Sequence, residues 1–228
     1  LAAALERAGW EVVGLLGRDD AVAGALADVD LLVIATPDAA IGDVAAAVAP
    51  DDRGVVAHLA GSLELEVLAP HGRRAALHPL VSLPDVEVGA RRLAAGAWFA
   101  VAGDPIVQRA AVDLGGRWFE VADADRAIYH AAAAVASNHL VALLGQVARL
   151  AEGIGVPFEA YLDLARTSLD NVAALGPPAA LTGPVARGDW DTVARHLEAL
   201  HPSEREAYRA LAAAARRLVD GQGLPPGL

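Results

Sequence analysis

Three polar side chains, His130, Ser137 and Asn138, lie within a mostly apolar, Ala-rich stretch at residues 128–150. At about 100° per residue in an α-helix, Ser137 lies roughly 20° from His130 and Asn138 roughly 80° from it. Imidazole can give and take a proton near neutral pH, and Ser and Asn side chains can hydrogen-bond a substrate. The spacing therefore predicts a catalytic helix face, with a helix-packing face that carries satisfied polar groups as the alternative.

Composition limits the chemistry available to the chain. Its 228 residues include no Cys, and all 18 basic residues are Arg. Lysine Schiff bases, thiolate nucleophiles and Cys-ligated metals are therefore excluded. The seven His show no metal-ligand spacing, so we predict no metal site.

Charge and hydropathy limit the partners and the location. The net charge of −11 argues against a nucleic-acid or anionic-membrane surface. No apolar run is expected to be long enough to span a membrane without a charge or a helix breaker. A cytoplasmic protein acting on a small molecule is the expectation.

Up to about residue 122, short apolar runs alternate with turns and short helical patterns. This alternation predicts a mostly parallel, doubly wound α/β domain at 1–122. From 123 to 228 the patterns are almost entirely helical, and this second domain begins with the stretch that carries His130. The predicted strands cover 11–16, 30–35, 54–59, 75–80, 97–102 and 117–121, and short helices are predicted at 21–27, 40–48 and 105–114.

The start of the chain lacks one expected motif. In a doubly wound nucleotide-binding sheet, the first strand leads into a G-x-G-x-x-G loop that holds the pyrophosphate at a helix N-terminus. Here the sequence begins with the helical pattern LAAALERA, which ends at Gly9. We expect the first strand and its Gly-rich loop to precede residue 1, so that the domain is N-terminally incomplete.

The ends of the remaining strands supply candidate cofactor residues, because such ends face the ligand crevice of an open α/β sheet. Arg18 would suit the 2′-phosphate of NADP, whereas the adjacent Asp19 would suit the ribose of NAD. A solvated turn is the alternative at this position. The cofactor-binding candidates are Arg18, Thr36, Pro37, Gly61 and Ser62, and NADP is the expected cofactor with NAD possible.

Several stretches together resemble a known group. They are ALERAGWEVVGLLGRD, DLLVIATPDAAI, VVAHLAGS, LHPLVSL, YHAAAAVASNHLVALL and LTGPVARGDW. They are similar to uncharacterised Rossmann-like proteins with a C-terminal helical domain of unknown function. These are distant relatives of pyrroline-5-carboxylate reductase, ketopantoate reductase and the 6-phosphogluconate dehydrogenase group. The resemblance implies an NAD(P)-binding domain, a helical domain like the C-terminal domain of 6-phosphogluconate dehydrogenase, and a homodimer formed through the helical domains.

The sequence departs from these relatives at one important position. β-Hydroxyacid dehydrogenases of this class carry a Lys and, four residues later, an Asn along the long helix. Asn138 matches the Asn, but Ala134 stands at the Lys position. We therefore expect His130 to act as the proton donor, with Asn138 and Ser137 orienting the substrate.

Substrate-binding candidates lie outside this helix. His78, at a predicted strand end, could face the same crevice, with a turn-capping role as the alternative. The LTGPVARGD segment loosely resembles the substrate loop of pyrroline-5-carboxylate reductase, where Thr182 and Gly183 would approach the substrate. Arg187 could clamp a carboxylate. The alternative is a helix-connecting turn with a surface Arg.

Together these features predict an NAD(P)-dependent oxidoreductase. Hydride would pass between the nicotinamide and a small keto acid or imine that bears a carboxylate. A non-catalytic nucleotide-binding or dimeric regulatory protein is the alternative, and the missing lysine favours it.

Overall fold

A computed structural model describes all residues from 1 to 228 and contains two compact units, Leu1–His139 and Leu140–Leu228. The sequence predicts the boundary near residue 122, whereas the first unit extends to His139. The additional residues belong to this unit because Arg126 and Tyr129 make hydrogen bonds to its sheet region.

The first unit is built on a five-stranded sheet in the order β1-β2-β3-β4-β5. β1, β2 and β3 are parallel, β4 runs antiparallel to β3, and β5 is parallel to β4. The fold is thus the predicted doubly wound α/β arrangement with one antiparallel reversal. The strands are β1 (Leu31–Ile34), β2 (Val55–His58), β3 (Arg74–Pro79), β4 (Trp98–Gly103) and β5 (Arg117–Glu120).

Helices cover both faces of this sheet. Because side chains alternate along a strand, Val55 and Ala57 enter one core while Val56 enters the other. The first core includes residues of α1 (Ala2–Arg7), α3 (Val86–Leu93) and α4 (Ile106–Asp113), and the second packs against α2 (Asp38–Ala47) and a 3₁₀ turn at Leu65–Leu68. The β2 strand is completely buried, as a continuous apolar run in a parallel sheet predicts.

Two predicted elements near the start are absent from the structure. Residues 11–16 form no strand, and residues 21–27 form turns instead of a helix. A strand requires a hydrogen-bonded neighbour, and none of the five strands pairs with 11–16. Val13 and Leu15 are consequently exposed despite the apolar pattern that predicts a strand.

The second unit is entirely helical, as predicted. Asp189 caps one of its helices by accepting a hydrogen bond from the Thr192 amide at 3.1 Å, and Gly221 ends the last helix with φ 75°. The helices are α6 (Leu140–Gly153), α7 (Phe158–Leu175), α8 (Pro177–Ala180), α9 (Pro184–Arg187), α10 (Trp190–Ala199) and α11 (Pro202–Asp220).

The predicted long helix contains an irregular turn. Helical conformation starts with a 3₁₀ turn at Asp123–Asp125, continues as α5 (Arg126–Ala134), widens into a π-helical turn at Val135–His139 and continues as α6. By length and composition alone, Asp123–Gly153 could cross a membrane. Residues 127–148 contain no Asp, Glu, Lys or Arg, but they include Gly145.

Candidate functional site

The carboxyl ends of three parallel strands bring the predicted site residues of the first unit to one edge of the sheet. In the strand register, Ile34 of β1 lies beside His58 of β2, and His58 lies beside Ala76 of β3. The segments after β1 and β2 and the end of β3 therefore meet at this edge. We call it the carboxyl edge; it contains Thr36, the 59–64 loop and His78.

Gly61 lies directly against two imidazole rings. A Cβ atom at this position would lie 2.5 Å from Cδ2 of His130 and 3.0 Å from Nε2 of His78. The His78 and His130 ring centroids are 5.8 Å apart, with the rings nearly perpendicular. No larger residue fits without displacing a ring, so the three predicted site residues Gly61, His78 and His130 form one cluster.

Tyr129 joins this cluster from the helix side. Its hydroxyl and Nδ1 of His78 form a hydrogen bond of 2.6 Å. Burial lowers the pKa of His78 to about 4, and the neighbouring His130 and Arg126 charges act in the same direction. Burial raises the pKa of Tyr129 to about 12. At neutral pH both groups of the pair are therefore uncharged.

Two side chains bind the polar groups of the Ala60 backbone. Its N–H donates to Nδ1 of His58 at 3.2 Å, and its carbonyl accepts from Nη2 of Arg126 at 2.9 Å. Both side chains are fully buried. Burial, followed by the Arg126 charge, lowers the pKa of His58 to about 4, with Asp38, the Glu64 backbone and Asp123 opposing.

Arg126 is unusual because it is buried without full pairing. Its Nε and Nη1 atoms have no hydrogen-bond partner. Burial lowers its pKa, and Asp123 and Tyr129 oppose that shift. Asp123 accepts a hydrogen bond from the Leu65 amide at 3.2 Å, so the start of the helix holds the 59–64 loop at both ends.

The carboxyl edge also offers groups that fit a nicotinamide nucleotide. The Thr36 hydroxyl is buried without a hydrogen-bond partner, leaving a donor and an acceptor available at the end of β1. Pro37 precedes α2, and Ser62 donates to the Asp38 carboxylate at 3.4 Å. Arg18 lies in an exposed turn. Thr36, Gly61 and Ser62 could thus hold such a cofactor at this edge.

Ser137 and Asn138 differ from the residues of the cluster in exposure and in backbone conformation. Both are exposed and fall in the π-helical turn, whereas His130 is half-buried in α5. The predicted angles of 20° and 80° assumed 100° per residue throughout. They are wrong because the wider π turn changes the angular step from Val135 onward. Such turns occur frequently at functional sites.

The remaining predicted substrate residues belong to the helical unit. Thr182 and Gly183 precede α9, and Arg187 is the last residue of α9. Gly183 has φ 94°, a conformation that favours glycine. Thr182 and Arg187 are exposed, and their substrate-binding role stays a prediction.

Sequence reasoning missed His58, Arg126 and Tyr129. Two signals were available. His58 is a polar residue at the end of the otherwise apolar run VVAHL, and Arg126 lies four residues before His130, which places both on one helix face. Burial of both polar side chains could be recognised only from the tertiary structure.

The fold and this edge define a Rossmann-like α/β protein followed by a helical region. Residues 99–215 match the family model described as a domain of unknown function, DUF2520. The match spans more than half of the chain, which therefore belongs to the DUF2520 family. No curated protein matches the sequence.

Solved structures share the fold. Protein TM1727 from Thermotoga maritima is 28% identical with a TM-score of 0.68, and the match covers 82% of this chain and 77% of that one. The candidate NADP oxidoreductase BF3122 from Bacteroides fragilis is 20% identical with a TM-score of 0.75, covering 95% and 92%. The 1-pyrroline-5-carboxylate reductase from Streptococcus pyogenes is 15% identical with a TM-score of 0.54, covering 85% and 78%. These matches confirm the predicted fold and the resemblance to this reductase.

Proposed function

We propose that the protein is an NAD(P)-dependent oxidoreductase that acts on a small keto acid or imine bearing a carboxylate. The observation that carries the proposal is the packing of the Gly61 backbone against His78 and His130 at the carboxyl edge. In open α/β sheets this edge is where ligands bind. The shared fold with BF3122, named as a candidate NADP oxidoreductase, supports the choice of cofactor.

The two imidazoles have different roles in this proposal. A bound nicotinamide would supply or accept the hydride. Since its pKa is about 4, His78 is uncharged at neutral pH and cannot serve as an imidazolium acid there. His130 is therefore the group that gives a proton to the substrate oxygen or nitrogen, in place of the lysine missing at Ala134. The pair of His78 and Tyr129 fixes one wall of the site.

The predicted substrate contacts complete the proposal. Ser137 and Asn138 would orient the substrate from the π-helical turn. Within the helical unit, Arg187 would clamp a carboxylate, and Thr182 and Gly183 would allow a ligand to approach closely. Arg18 would favour NADP over NAD through the 2′-phosphate.

The test begins with cofactor binding to the full-length protein. We expect NADPH to raise the thermal midpoint and its fluorescence to change on binding, with NADH binding more weakly. A panel of keto acids and cyclic imines would then be followed by NADPH absorbance. Arg18→Ala should reduce the difference in affinity between NADPH and NADH. If neither cofactor binds, the proposal fails.

The same experiment distinguishes the oxidoreductase from the alternative, a non-catalytic nucleotide-binding protein. It is favoured by Ala134, which removes the lysine that relatives use. Cofactor binding without turnover of any keto acid or imine in the panel would support this alternative over the oxidoreductase.

We also propose a homodimer formed through the helical unit. α7 has no buried residue, and four large apolar side chains on it are exposed: Leu164, Leu169, Val172 and Leu175. Apolar surface of this kind marks interaction sites. Light scattering after size-exclusion chromatography should give twice the mass of one chain. Leu164→Arg should reduce the measured mass to that of one chain, whereas Arg166→Ala on the same helix should leave the dimer intact.

A further inference from the structure

Ala60 and Gly61 are adjacent, but different side chains contact them. Gly61 contacts the two imidazoles of the proposed site, and Ala60 beside it is buried. Both polar groups of the Ala60 backbone are bound by side chains: the N–H by His58 and the carbonyl by Arg126. The Leu59–Ala60 peptide is thus held by His58, and the Ala60–Gly61 peptide by Arg126.

We infer that Arg126 and His58 are positioning residues, which orient the 59–64 loop so that Gly61 stays against His78 and His130. This inference rests on the proposed function for its catalytic consequence, because Gly61 would lie at the reacting centre. Its structural part, the control of the loop, can be tested without any turnover.

The energetics of Arg126 support a role beyond stability. A buried guanidinium loses its hydration, and here one hydrogen bond and the nearby Asp123 charge compensate in part, while Nε and Nη1 make no hydrogen bond. An apolar side chain of similar volume is often as stabilising as a buried charge, or more so. A chain that keeps an arginine here departs from local packing rules, and such departures concentrate at functional sites.

Asp123 contacts the other end of the 59–64 loop, which supports the positioning role inferred for Arg126. Its carboxylate accepts from the Leu65 amide at 3.2 Å, and it lies three residues before Arg126. The turn that begins the long helix therefore contacts the loop after β2 at both Ala60 and Leu65. A shift of this turn would move Gly61 and His130 together, because His130 lies one helical turn after Arg126.

The first test measures loop exchange in the full-length protein by hydrogen–deuterium exchange mass spectrometry. Arg126→Met keeps the volume and removes the donor. We expect exchange in peptides covering 59–64 to rise about 10- to 100-fold, as loss of a hydrogen bond to a charged group implies. Peptides from β4 should be unchanged. Arg73→Met is the matched control, since Arg73 also donates to a backbone carbonyl, at the opposite edge of the sheet.

The second test uses the Ala60 N–H. His58→Phe removes the acceptor while keeping a buried ring, and His58→Asn offers an amide oxygen in its place. We expect faster loop exchange in His58→Phe and partial recovery in His58→Asn. This pair tests the same loop if Arg126→Met does not fold, and Arg126→Lys, which keeps a cationic donor, should recover part of the protection.

Kinetics distinguish positioning from simple stabilisation. We expect kcat per folded protein to fall about 100-fold in Arg126→Met, because small displacements at a reacting centre have effects of that size. KM should change little, and Arg126→Lys should restore most of kcat. The ring proton NMR signals of His78 and His130 should shift in Arg126→Met and stay unchanged in Arg73→Met.

The outcomes separate the two proposals. Unchanged loop exchange and unchanged His78 and His130 signals in Arg126→Met and His58→Phe would overturn the positioning role, whatever the activity. A lower folded fraction with normal kcat and KM would also overturn it. If the wild-type protein shows no turnover while loop exchange responds as expected, the positioning of Gly61 stands and the oxidoreductase proposal fails.

Discussion

The two edges of the five-stranded sheet have opposite electrostatic character. At the carboxyl edge, His58 and Arg126 are fully buried, and each has side-chain nitrogens without partners. At the amino edge, where β1, β2 and β3 begin, the arginines that precede β2 and β3 are exposed and paired with carboxylates. Arg73 lies 2.9 Å from the Asp104 carboxylate, and Arg53 lies 2.9 Å from that of Asp51.

This difference shows which edge carries a functional constraint. Exposed ion pairs contribute about 0 to 1 kcal/mol each, and the Arg53 side chain is 76% exposed. Buried, partly unpaired groups reduce stability unless something else retains them. The amino edge is therefore consistent with a solvated surface, and the carboxyl edge with a site whose groups are kept for chemistry.

The largest expected effect comes from His130→Ala. Removing the proposed proton donor should lower kcat about 10²- to 10⁴-fold on a substrate that the wild-type protein reduces, because general acids contribute that much. NADPH absorbance at saturating substrate measures it. His139→Ala, an exposed His in the π-helical turn, is the control. Equal losses in both variants would contradict the assignment.

Gly61→Ala should have the next largest effect. Its Cβ would lie 2.5 Å from Cδ2 of His130, so the ring must move away. We expect kcat to fall about 100-fold and stability to fall by about 1 to 3 kcal/mol, measured by steady-state kinetics and urea unfolding. Gly153→Ala, where a Cβ meets nothing within 4 Å, should change neither property unfavourably. A Gly61→Ala protein with normal kcat would remove the basis of the site.

Acid should destabilise the carboxyl edge selectively. The pKa of His58 is about 4 in the folded protein against 6.5 as the ordinary value. Between these values the unfolded chain binds a proton that the folded protein does not, so the free energy of unfolding falls as pH falls from 6.5 to 4. For this residue the loss reaches about 3 kcal/mol, and His78 acts in the same direction.

Urea unfolding at several pH values measures this dependence. His58→Phe should show a smaller loss between pH 6.5 and pH 4.5 than the wild-type protein, since it has no group to titrate at that position. Arg73→Met should keep the full dependence. Identical slopes for the wild type and His58→Phe would show that His58 is not held neutral by burial.

The smallest effect is expected at the amino edge. Arg73→Met should lower stability by no more than about 1 kcal/mol and leave kcat and KM unchanged, as checked by urea unfolding and steady-state kinetics. A large kinetic effect here would erase the distinction between the two edges.

Local patterns were sufficient to predict much of the fold. Continuous apolar runs such as 30–35 and 54–59 gave the strands β1 and β2 within one or two residues, because burial in a parallel sheet demands such runs. The same reasoning failed at 11–16. That segment has the right composition, but a strand also needs a paired neighbour.

The candidate site was predicted in part for the same reason. Strand ends place Thr36, Gly61 and His78 at one edge whenever the strands are parallel, so their proximity follows from the topology. The contact between Gly61 and His130 joins residues 69 positions apart and depends on how α5 packs against the sheet. The π-helical turn, which changes the orientation of Ser137 and Asn138, had no signal in the residue spacing.

By itself, the sequence determined the alternation of strands and helices, the absence of Lys and Cys chemistry, and the residue types available at each strand end. These depend on local periodicity and composition. Only the tertiary structure decided that Arg126 and His58 are buried, that they hold Ala60, and that His78 pairs with Tyr129. Burial and long-range hydrogen bonds arise from packing between distant segments, and no short stretch of sequence specifies that packing.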